Sequence, residues 1–249
     1  AERQGTAARI HLKVDTGISR FGALPQEVQS LASALHLLPS LELEGISTHF
    51  ADSAADPERT EHQMRKFDAV LKVCTDSGIH FRVVHIANSA GCLRYPAAHH
   101  HLVRVGIAAY GIDPYGFNIG LKPIMTWKAR IMGTRTRPAG TWVSYSSTCQ
   151  LKRETKLATL GVGYGDGYPR AMSSKGFVSH RGAICPVLGL VCMDQVIIDI
   201  TDVGGEVGEE VELLGTQVTV PELASLAGTN SHEIVTRIMS RVPRRYKHS

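Results

Sequence analysis

The sequence lacks the features of several specialised classes of protein. No apolar run approaches the length needed to cross a bilayer, and no signal peptide opens the chain. The net charge is only +4 and no basic stripe with interleaved aromatic residues is present, which argues against a nucleic-acid partner. The five cysteines contain no C-x-x-C pair, so free thiols are expected and a disulfide is the less favoured alternative. The composition predicts a globular cytoplasmic protein that binds neither membrane nor nucleic acid.

A metal site is not expected either. His99, His100 and His101 are adjacent in sequence, and no acidic or cysteine cluster accompanies them. Three neighbouring side chains point in different directions, so such a run rarely coordinates one ion. The function must therefore be sought in other motifs.

The first half of the chain alternates between strand and helix patterns. Ile10, Leu12 and Val14 alternate with polar residues, which is the period of a strand. Further strands are predicted at 41–50, 81–88 and 102–105, and helices at 25–37 and 57–77. Strands separated by helices indicate parallel βαβ units. Since a closed (β/α)₈ barrel needs roughly 250 residues, four units predict half a barrel or a small open sheet.

The pattern changes near Pro114. Glycine and proline then punctuate short β-rich runs, which is typical of antiparallel strands. The predicted strands are 128–133, 155–162, 190–200 and 210–214, and the predicted helical segments are 221–227 and 231–240. The predicted fold is therefore α/β plus all-β, with a partial (β/α) barrel over residues 1–115. An antiparallel β domain with a terminal helix is predicted over residues 116–249.

Polar residues collect at the predicted carboxyl ends of the strands. The run KVDTGISRFG carries Lys13 and Arg20 at the end of the first strand, and THFADS places His49 at the end of the second. ANSAG follows the third strand with Asn88 and Ser89, where small polar groups and free N–H groups can hold an anion. Active sites of parallel α/β folds lie at this edge of the sheet.

Arg104 is the least ordinary of these residues. It lies within the otherwise apolar run VRVGIAAYG, and an arginine inside a strand must be paired or must face a polar ligand. Taken alone, the other motifs have structural explanations. His49 can be a satisfied structural group, GYGDGYPR can be a hairpin with aromatic packing, and Met193 in GLVCMDQ can be core.

Taken together and in order, the motifs resemble those of the alanine racemase family, which are pyridoxal-phosphate enzymes of fold type III. The matching runs lie between residues 13 and 246 and are KVDTGISRFG, GISTHFADS, ANSAG, VRVGIAAYG, VSYSST, GYGDGYPR, GLVCMDQ and RVPRRY. The resemblance implies an eight-stranded barrel followed by a β domain. It also implies a homodimer whose active site is shared between the subunits, with D-alanine for peptidoglycan as the usual bacterial role.

The resemblance further implies that this chain holds only barrel strands 5 to 8 and lacks the N-terminal half barrel. The family's cofactor lysine lies in a motif like K-A-[DN]-A-Y-G-H-G, and no such motif occurs here. We therefore expect the chain to lack the Schiff-base lysine and not to racemise alanine by itself.

The resemblance also assigns roles to individual residues. Tyr145 is one of two catalytic bases and acts in the partner subunit's site, while His49 and Arg104 join it in a polar chain. Arg104 also hydrogen-bonds the pyridine nitrogen of the cofactor. The cofactor phosphate is held beside Asn88 by Ser89 and the backbone N–H groups of Gly106 and Ile107.

The remaining roles implied by the resemblance concern the substrate. Arg20 and Met193 bind its carboxylate, Met193 through its backbone and from the partner chain, and Asp194 lies beside Met193. Tyr164 lines the entry channel. Lys13 is a candidate for a carbamate that positions Arg20.

The sequence thus predicts an alanine racemase, an isomerase that interconverts L- and D-alanine with pyridoxal 5′-phosphate. One alternative is a non-catalytic remnant that binds a partner or a racemase subunit through its dimer surface. Another is a racemase of broader specificity. Ser240 stands where several family members have a tyrosine that touches the cofactor phosphate, and loss of that ring predicts some tolerance for serine.

Overall fold

The computed structural model describes residues 1–247, which form two compact units. Unit 1 spans Ala1–Ala109, and unit 2 begins at Tyr110 and includes the rest of the described residues. No helix among the described residues is long and apolar enough to cross a membrane. The five cysteines are free, and Cys74 and Cys185 are buried.

Unit 1 is built on a short parallel sheet with three helices. Its strands pair in the order β1-β2-β3, both pairs parallel. The strands are β1 Ala8–Lys13, β2 Leu41–Ser47 and β3 Val83–His85, and the helices are α1 Val28–His36, α2 Pro57–Asp76 and α3 Ser89–Arg94. Short 3₁₀ turns cover Glu2–Gln4, Pro25–Glu27, Pro96–Ala98 and Ile107–Tyr110.

The helices of unit 1 begin and pack as their sequences direct. Asp56 caps α2 by accepting a hydrogen bond from the Arg59 N–H, and Pro57 occupies the first turn, where a missing N–H costs nothing. Phe67 and Cys74 of α2 are fully buried in one core with Val14 and Ile46. Burying a side chain of the size of Phe67 stabilises the unit by about 2–3 kcal/mol.

Two strand predictions for unit 1 need correction. Residues 102–105 form no strand, because they make only isolated backbone bonds such as the 3.0 Å bond from Arg104 N–H to Ala87 O. The strand predicted at 81–88 is paired only over Val83–His85. Three parallel strands are therefore present in unit 1, where four were predicted.

Unit 2 is built on an antiparallel six-stranded sheet. The sheet strands are β4 Trp127–Arg137, β7 Thr155–Leu160, β8 Phe177–His180, β9 Ala183–Pro186, β10 Val196–Asp199 and β11 Glu210–Leu214. They pair in the order β10-β7-β4-β11-β8-β9, and an isolated bridge joins Val187, just after β9, to Ile198 of β10. A separate hairpin pairs β5 Trp142–Val143 with β6 Cys149–Gln150. The core includes Ile131, Leu160, Ile198 and Leu213.

Helices and turns complete unit 2. The helices are α4 Val220–Ala227 and α5 Ser231–Thr236, and 3₁₀ turns cover Tyr145–Ser147, Tyr164–Asp166 and Arg170–Met172. The antiparallel β region and the helix predicted at 221–227 agree with the structure, whereas the helix predicted at 231–240 ends at Thr236. The strand predicted at 190–200 is shorter, because residues 190–195 form a turn-rich segment before β10. Strands β8 and β9 were not predicted.

Candidate active site

The loop after β1 is held in shape by Asp15. One oxygen of its carboxylate accepts hydrogen bonds from the N–H groups of Gly17, Ile18 and Ser19, at 3.0 to 3.1 Å. These hydrogen bonds lower the pKa of Asp15, and the bond from the Ser19 N–H has the largest effect. The loop then returns to β1 at Gly22, where a Cβ would lie 2.7 Å from the backbone nitrogen of Asp15, so only glycine fits. Arg20 is carried on this closed loop and is exposed.

Arg104 lies at the centre of the polar cluster in unit 1. Its Nη1 donates to Nδ1 of His85, and its Nη2 donates to the carbonyl of Thr48 at 2.8 Å. Nη2 also lies 3.2 Å from Nδ1 of His49. No carboxylate pairs with Arg104 among residues 1–247, so its charge is held by neutral acceptors.

The two histidines beside Arg104 must be neutral. A guanidinium has only donors, so Nδ1 of His49 and Nδ1 of His85 must each be an unprotonated acceptor. Burial and then the charge of Arg104 lower the pKa of both His49 and His85 from 6.5 to about 4. The hydrogen-bond geometry and the electrostatics therefore agree on the same protonation state at pH 7.

His85 continues the polar chain away from Arg104. With Nδ1 accepting, its Nε2 carries the proton and donates to Nδ1 of His11 over 2.8 Å. Nε2 of His11 then donates to Glu44 over 3.3 Å. Glu44 also pairs with Arg82 and, at 3.4 Å, with Arg9. The chain fixes the tautomer of His85 and so keeps its Nδ1 directed to Arg104.

Lys13 has an environment that lowers the pKa of its amine. Partial burial is the largest cause of the lowered pKa, and the charges of Arg104 and Arg20 lower it further. The charge of Asp15 raises the pKa and so opposes these effects. Arg20 also contributes to the lowered pKa of His49. Lys13, Arg20, His49 and Arg104 are therefore close enough to influence one another electrostatically.

A buried network holds the backbone at His49. Gln63 of α2 is 1% exposed, and its Nε2 donates to the His49 carbonyl and to the Thr16 hydroxyl, each over 3.1 Å. Its Oε1 accepts from the Ala51 N–H at 2.8 Å. The hydroxyls of Thr16 and Thr48 are 2.8 Å apart. One side chain of α2 thus connects the carboxyl ends of β1 and β2.

Ser89 and its neighbours form a second group in unit 1. The Ser89 hydroxyl oxygen accepts from the Gly106 N–H at 2.9 Å, which leaves its own proton free to donate. The Ile107 N–H has no partner among the described residues. Asn88 caps α3, since its Oδ1 accepts from the Gly91 N–H at 2.9 Å and from the Ser53 hydroxyl at 2.8 Å. Its side chain is thereby committed to shaping this turn.

Tyr145 in unit 2 contrasts with these buried groups. Tyr145 is 72% exposed and is separated from the end of the hairpin strand β5 by Ser144 alone. Ser144, Ser146 and Ser147 around it all have positive φ angles, of 70°, 57° and 47°. Such angles are uncommon outside glycine, so the backbone here is unusually constrained.

The GYGD and CMDQ motifs meet in unit 2. The N–H groups of Tyr164 and Gly165 donate to the carbonyls of Cys192 and Met193 at 3.0 and 2.7 Å. The Met193 side chain is 60% exposed, and the Met193 N–H has no partner within residues 1–247. Asp194 is also exposed. The predicted substrate residues of this unit therefore lie on two adjoining loops.

The sequence reasoning missed several residues of these sites. His85, Thr48 and Gln63 were not singled out, nor was the pair of Asp166 and Arg241, whose carboxylate and Nε are 2.6 Å apart. This pairing lowers the pKa of Asp166 against the opposing effect of burial. Two features of the sequence could have indicated them. His85 lies at the predicted end of a strand, and Asp166 and Arg241 lie within the motifs GYGDGYPR and RVPRRY.

Family models match both parts of the chain. The model described as alanine racemase, N-terminal domain, matches residues 1–114, and that of the alanine racemase C-terminal domain matches residues 124–246. The prediction that the chain lacks the N-terminal half is therefore wrong, because the N-terminal domain is represented by residues 1–114.

Similar proteins cover almost the whole chain. The alanine racemases of Symbiobacterium thermophilum and Halothermothrix orenii are 42% and 40% identical to it over 98% and 99% of its length. The chain spans 67% and 68% of these two relatives. The alanine racemase from D-cycloserine producing Streptomyces lavendulae, whose crystal structure is known, is 35% identical in sequence to this chain. It has a TM-score of 0.93 and matches 100% of this chain and 68% of its own.

Sequence and structure comparisons agree on one group of proteins. Its members are isomerases that depend on pyridoxal 5′-phosphate. On these matches, together with the polar clusters at the strand ends, the chain belongs to the alanine racemase family.

Proposed function

We propose that this chain takes part in the interconversion of L- and D-alanine with bound pyridoxal 5′-phosphate, with unit 1 of one subunit and unit 2 of its partner supplying side chains to each site. Residues 1–249 do not contain the family's cofactor-lysine motif, so the Schiff-base lysine would have to come from outside these residues, and the chain by itself is not expected to racemise alanine. The single observation that carries the proposal is the environment of Arg104. Its guanidinium is held by two neutral histidines and the backbone carbonyls of Thr48 and Ile86, without a carboxylate among the described residues. A permanent cation kept in this way is available to an electron-rich ring nitrogen.

The open donors of unit 1 fit this cofactor. The Arg104 Nε–H, the Ser89 hydroxyl and the Ile107 N–H have no acceptor among residues 1–247, and the last two suit a phosphate. Apart from Gly106 and its two chain neighbours, no atom of residues 1–247 lies within 4 Å of the position that a Cβ would take at Gly106, so the backbone borders open space there. The bound cofactor would act as the electron sink that makes the α-proton of alanine removable.

In this proposal Arg104 donates to the pyridine nitrogen and keeps it unprotonated, because a guanidinium does not release its proton. Ser89, the turn capped by Asn88 and the Ile107 N–H hold the phosphate. The Gly106 N–H, predicted to share this role, instead donates to the Ser89 hydroxyl and so orients the hydroxyl proton towards the phosphate. His49 is neutral at pH 7 and connects Arg104 to the proton-transfer side of the site.

The Tyr145 phenol is proposed as the base that removes or returns the α-proton on one face of the substrate. Arg20 binds the substrate carboxylate together with the open Met193 N–H, with Asp194 beside it, and Tyr164 lines the approach. The lowered pKa of Lys13 supports its role as a carbamate, since only the neutral amine reacts with carbon dioxide. Arg20 and Arg104 nearby would stabilise the resulting anion.

The finer parts of the architecture are proposals as well. We infer that β1, β2 and β3 are consecutive strands of a (β/α)₈ barrel and that residues 116–249 form the β domain. We also propose a cytoplasmic homodimer in which the two subunits share each site. The exposure of Tyr145 and Met193 supports that arrangement, because both are presented away from their own unit's core.

The test uses this chain as part of a protein that also supplies the Schiff-base lysine, with pyridoxal 5′-phosphate, and follows the formation of D-alanine from L-alanine by chiral chromatography. Tyr145→Phe, which removes only the phenolic oxygen, should lower the rate about 10²- to 10⁴-fold. Tyr246→Phe, the same change at a residue that is 86% exposed, serves as the control and should leave the rate within twofold. If the wild-type protein has this lysine and binds the cofactor but never forms D-alanine, the non-catalytic alternative is favoured.

A further inference from the structure

The residue before Tyr145 has a backbone conformation that is rare outside glycine. Ser144 has a φ of 70° and a ψ of 176°. In this region the Cβ of an ordinary residue is crowded by its own backbone, at a cost on the order of 1–3 kcal/mol. Such a conformation persists only where the surroundings enforce it, so its contacts identify what the strain maintains.

The contacts of Ser144 form a two-way clamp on Leu190. The Ser144 hydroxyl oxygen accepts from the Leu190 N–H at 2.9 Å, and the hydroxyl lies 3.2 Å from the Leu190 carbonyl. Gly189, the residue before Leu190, leaves room for this contact only because it has no side chain. A Cβ on Gly189 would lie 2.2 Å from the Cβ of Ser144.

The hydrogen bonds between Ser144 and Leu190 fix the position of Tyr145. The Tyr145 ring is 72% exposed, so packing within unit 2 does not fix its direction. On one side Val143 is anchored, being 5% exposed and paired to Cys149. Between that anchor and the phenol lies only Ser144, whose dihedral angles set the direction of the Tyr145 Cα–Cβ bond.

We propose that Ser144 is a positioning residue: its clamp on Leu190 holds Tyr145 in register with the segment that carries Met193 and Asp194. This inference rests on the proposed role of Tyr145 as a base. Leu190 lies three residues before Met193, so one pair of hydrogen bonds ties the base to the substrate-binding loop. An error on the order of 1 Å in the placement of a reacting group can cost about 10²-fold in rate.

The first experiment compares Ser144→Ala with Ser147→Ala in the full-length enzyme. Both changes remove a hydroxyl from a serine with positive φ beside Tyr145, but the Ser147 hydroxyl has no hydrogen-bond partner among the described residues. We expect Ser144→Ala to lower kcat by roughly 10- to 100-fold with KM within about threefold. Ser147→Ala should stay within about twofold in both. Equal kcat values for the two variants would overturn the proposal.

A double-mutant cycle separates positioning from a general structural effect. If Ser144 acts through the phenol, Ser144→Ala on a Tyr145→Phe background should cause no further loss. The same fold-loss on both backgrounds would mean that Ser144 acts independently of Tyr145, and the proposal would be wrong.

A measurement without catalysis distinguishes this inference from the proposed function. With 3-fluorotyrosine incorporated, the Tyr145 resonance is assigned by its loss in Tyr145→Phe. It should shift or narrow in Ser144→Ala and remain unchanged in Ser147→Ala. If Tyr145→Phe keeps full activity, the proposed base is wrong, while the resonance still decides whether Ser144 orients the ring. If Ser144→Ala does not fold, Ser144→Gly, which adopts this φ without strain, replaces it with the same expectations.

Discussion

The two units hold their candidate site residues in opposite ways. In unit 1 the functional groups bind one another, with Arg104 held by His49, His85 and the Thr48 carbonyl. In unit 2 the Tyr145 and Met193 side chains are 72% and 60% exposed, and only their backbones are fixed. Unit 1 therefore sets the electrostatics of its own cluster, whereas unit 2 supplies groups whose direction is determined by backbone clamps.

The way each unit holds its functional groups determines whether a substitution affects stability, reaction rate or both. A group that satisfies several buried acceptors contributes to stability as well as to chemistry. An exposed group on a constrained backbone contributes to chemistry with little effect on the free energy of unfolding. The two units should thus respond differently to the removal of one functional side chain.

The largest effect is expected at Arg104. Arg104→Ala should lower the racemisation rate at least 10²-fold, as removal of one preorganised donor does in other active sites. It should also lower the free energy of unfolding by about 2–3 kcal/mol, because several buried acceptors lose a charged donor. Urea titration beside the rate assay checks both.

The matched comparison for Arg104 is Tyr145→Phe, which should reduce the rate while changing the free energy of unfolding by no more than about 0.5 kcal/mol. Equal destabilisation by Arg104→Ala and Tyr145→Phe would contradict the contrast between the units.

The pH dependence of stability is the next largest effect. His49 and His85 have pKa values of about 4 in the folded protein, against 6.5 ordinarily. Between these values the unfolded chain binds protons that the folded chain does not, so stability is full above pH 6.5 and is lost as the pH falls towards 4. The loss should be on the order of 2 kcal/mol for each histidine, after allowance for partial exposure.

Replacing one of these histidines tests the origin of that loss. His85→Gln keeps a side chain that can accept from Arg104 but cannot titrate. In urea unfolding, the loss of stability of this variant between pH 7 and pH 4.5 should therefore be about half that of the wild-type protein. An unchanged pH profile would indicate that groups other than His85 cause the loss.

A smaller effect is expected at Gln63. Gln63→Leu leaves the His49 carbonyl and the Ala51 N–H without their buried partner, so the free energy of unfolding should fall by about 1–3 kcal/mol. Gln26→Leu, the same change at an exposed position of unit 1, should stay within about 0.5 kcal/mol. If the two variants are equally stable, the buried network does not hold the end of β2.

The sequence identified Arg104 as a residue that needed a polar partner, and the structure supplies one. Which partner could not be read from the chain, because His85 is brought to Arg104 by the pairing of β2 with β3, a contact between distant segments. The apolar pattern at 102–105 indicated a strand but could not reveal that its backbone makes only isolated bonds. A strand-like sequence pattern predicts which residues can join a β-sheet. Whether they form sheet hydrogen bonds depends on the position of the neighbouring chain segment.

The backbone at Ser144 was also beyond the reach of the sequence. Serine gives no sign of a positive φ, since this angle is enforced by Leu190 and permitted by Gly189, more than forty positions away along the chain. The motif letters VSY and GLVCMDQ were visible as family features, whereas their contact depends on tertiary packing.

Unit 1 keeps one permanent cation, Arg104, between two neutral imidazoles. A ¹⁵N NMR titration of the histidine side chains tests this arrangement, with His49→Gln and His85→Gln used for assignment. Nδ1 of His49 and of His85 should stay unprotonated from pH 8 down to about pH 5, with midpoints near 4. Titration of either residue with an ordinary midpoint near 6.5 would contradict it.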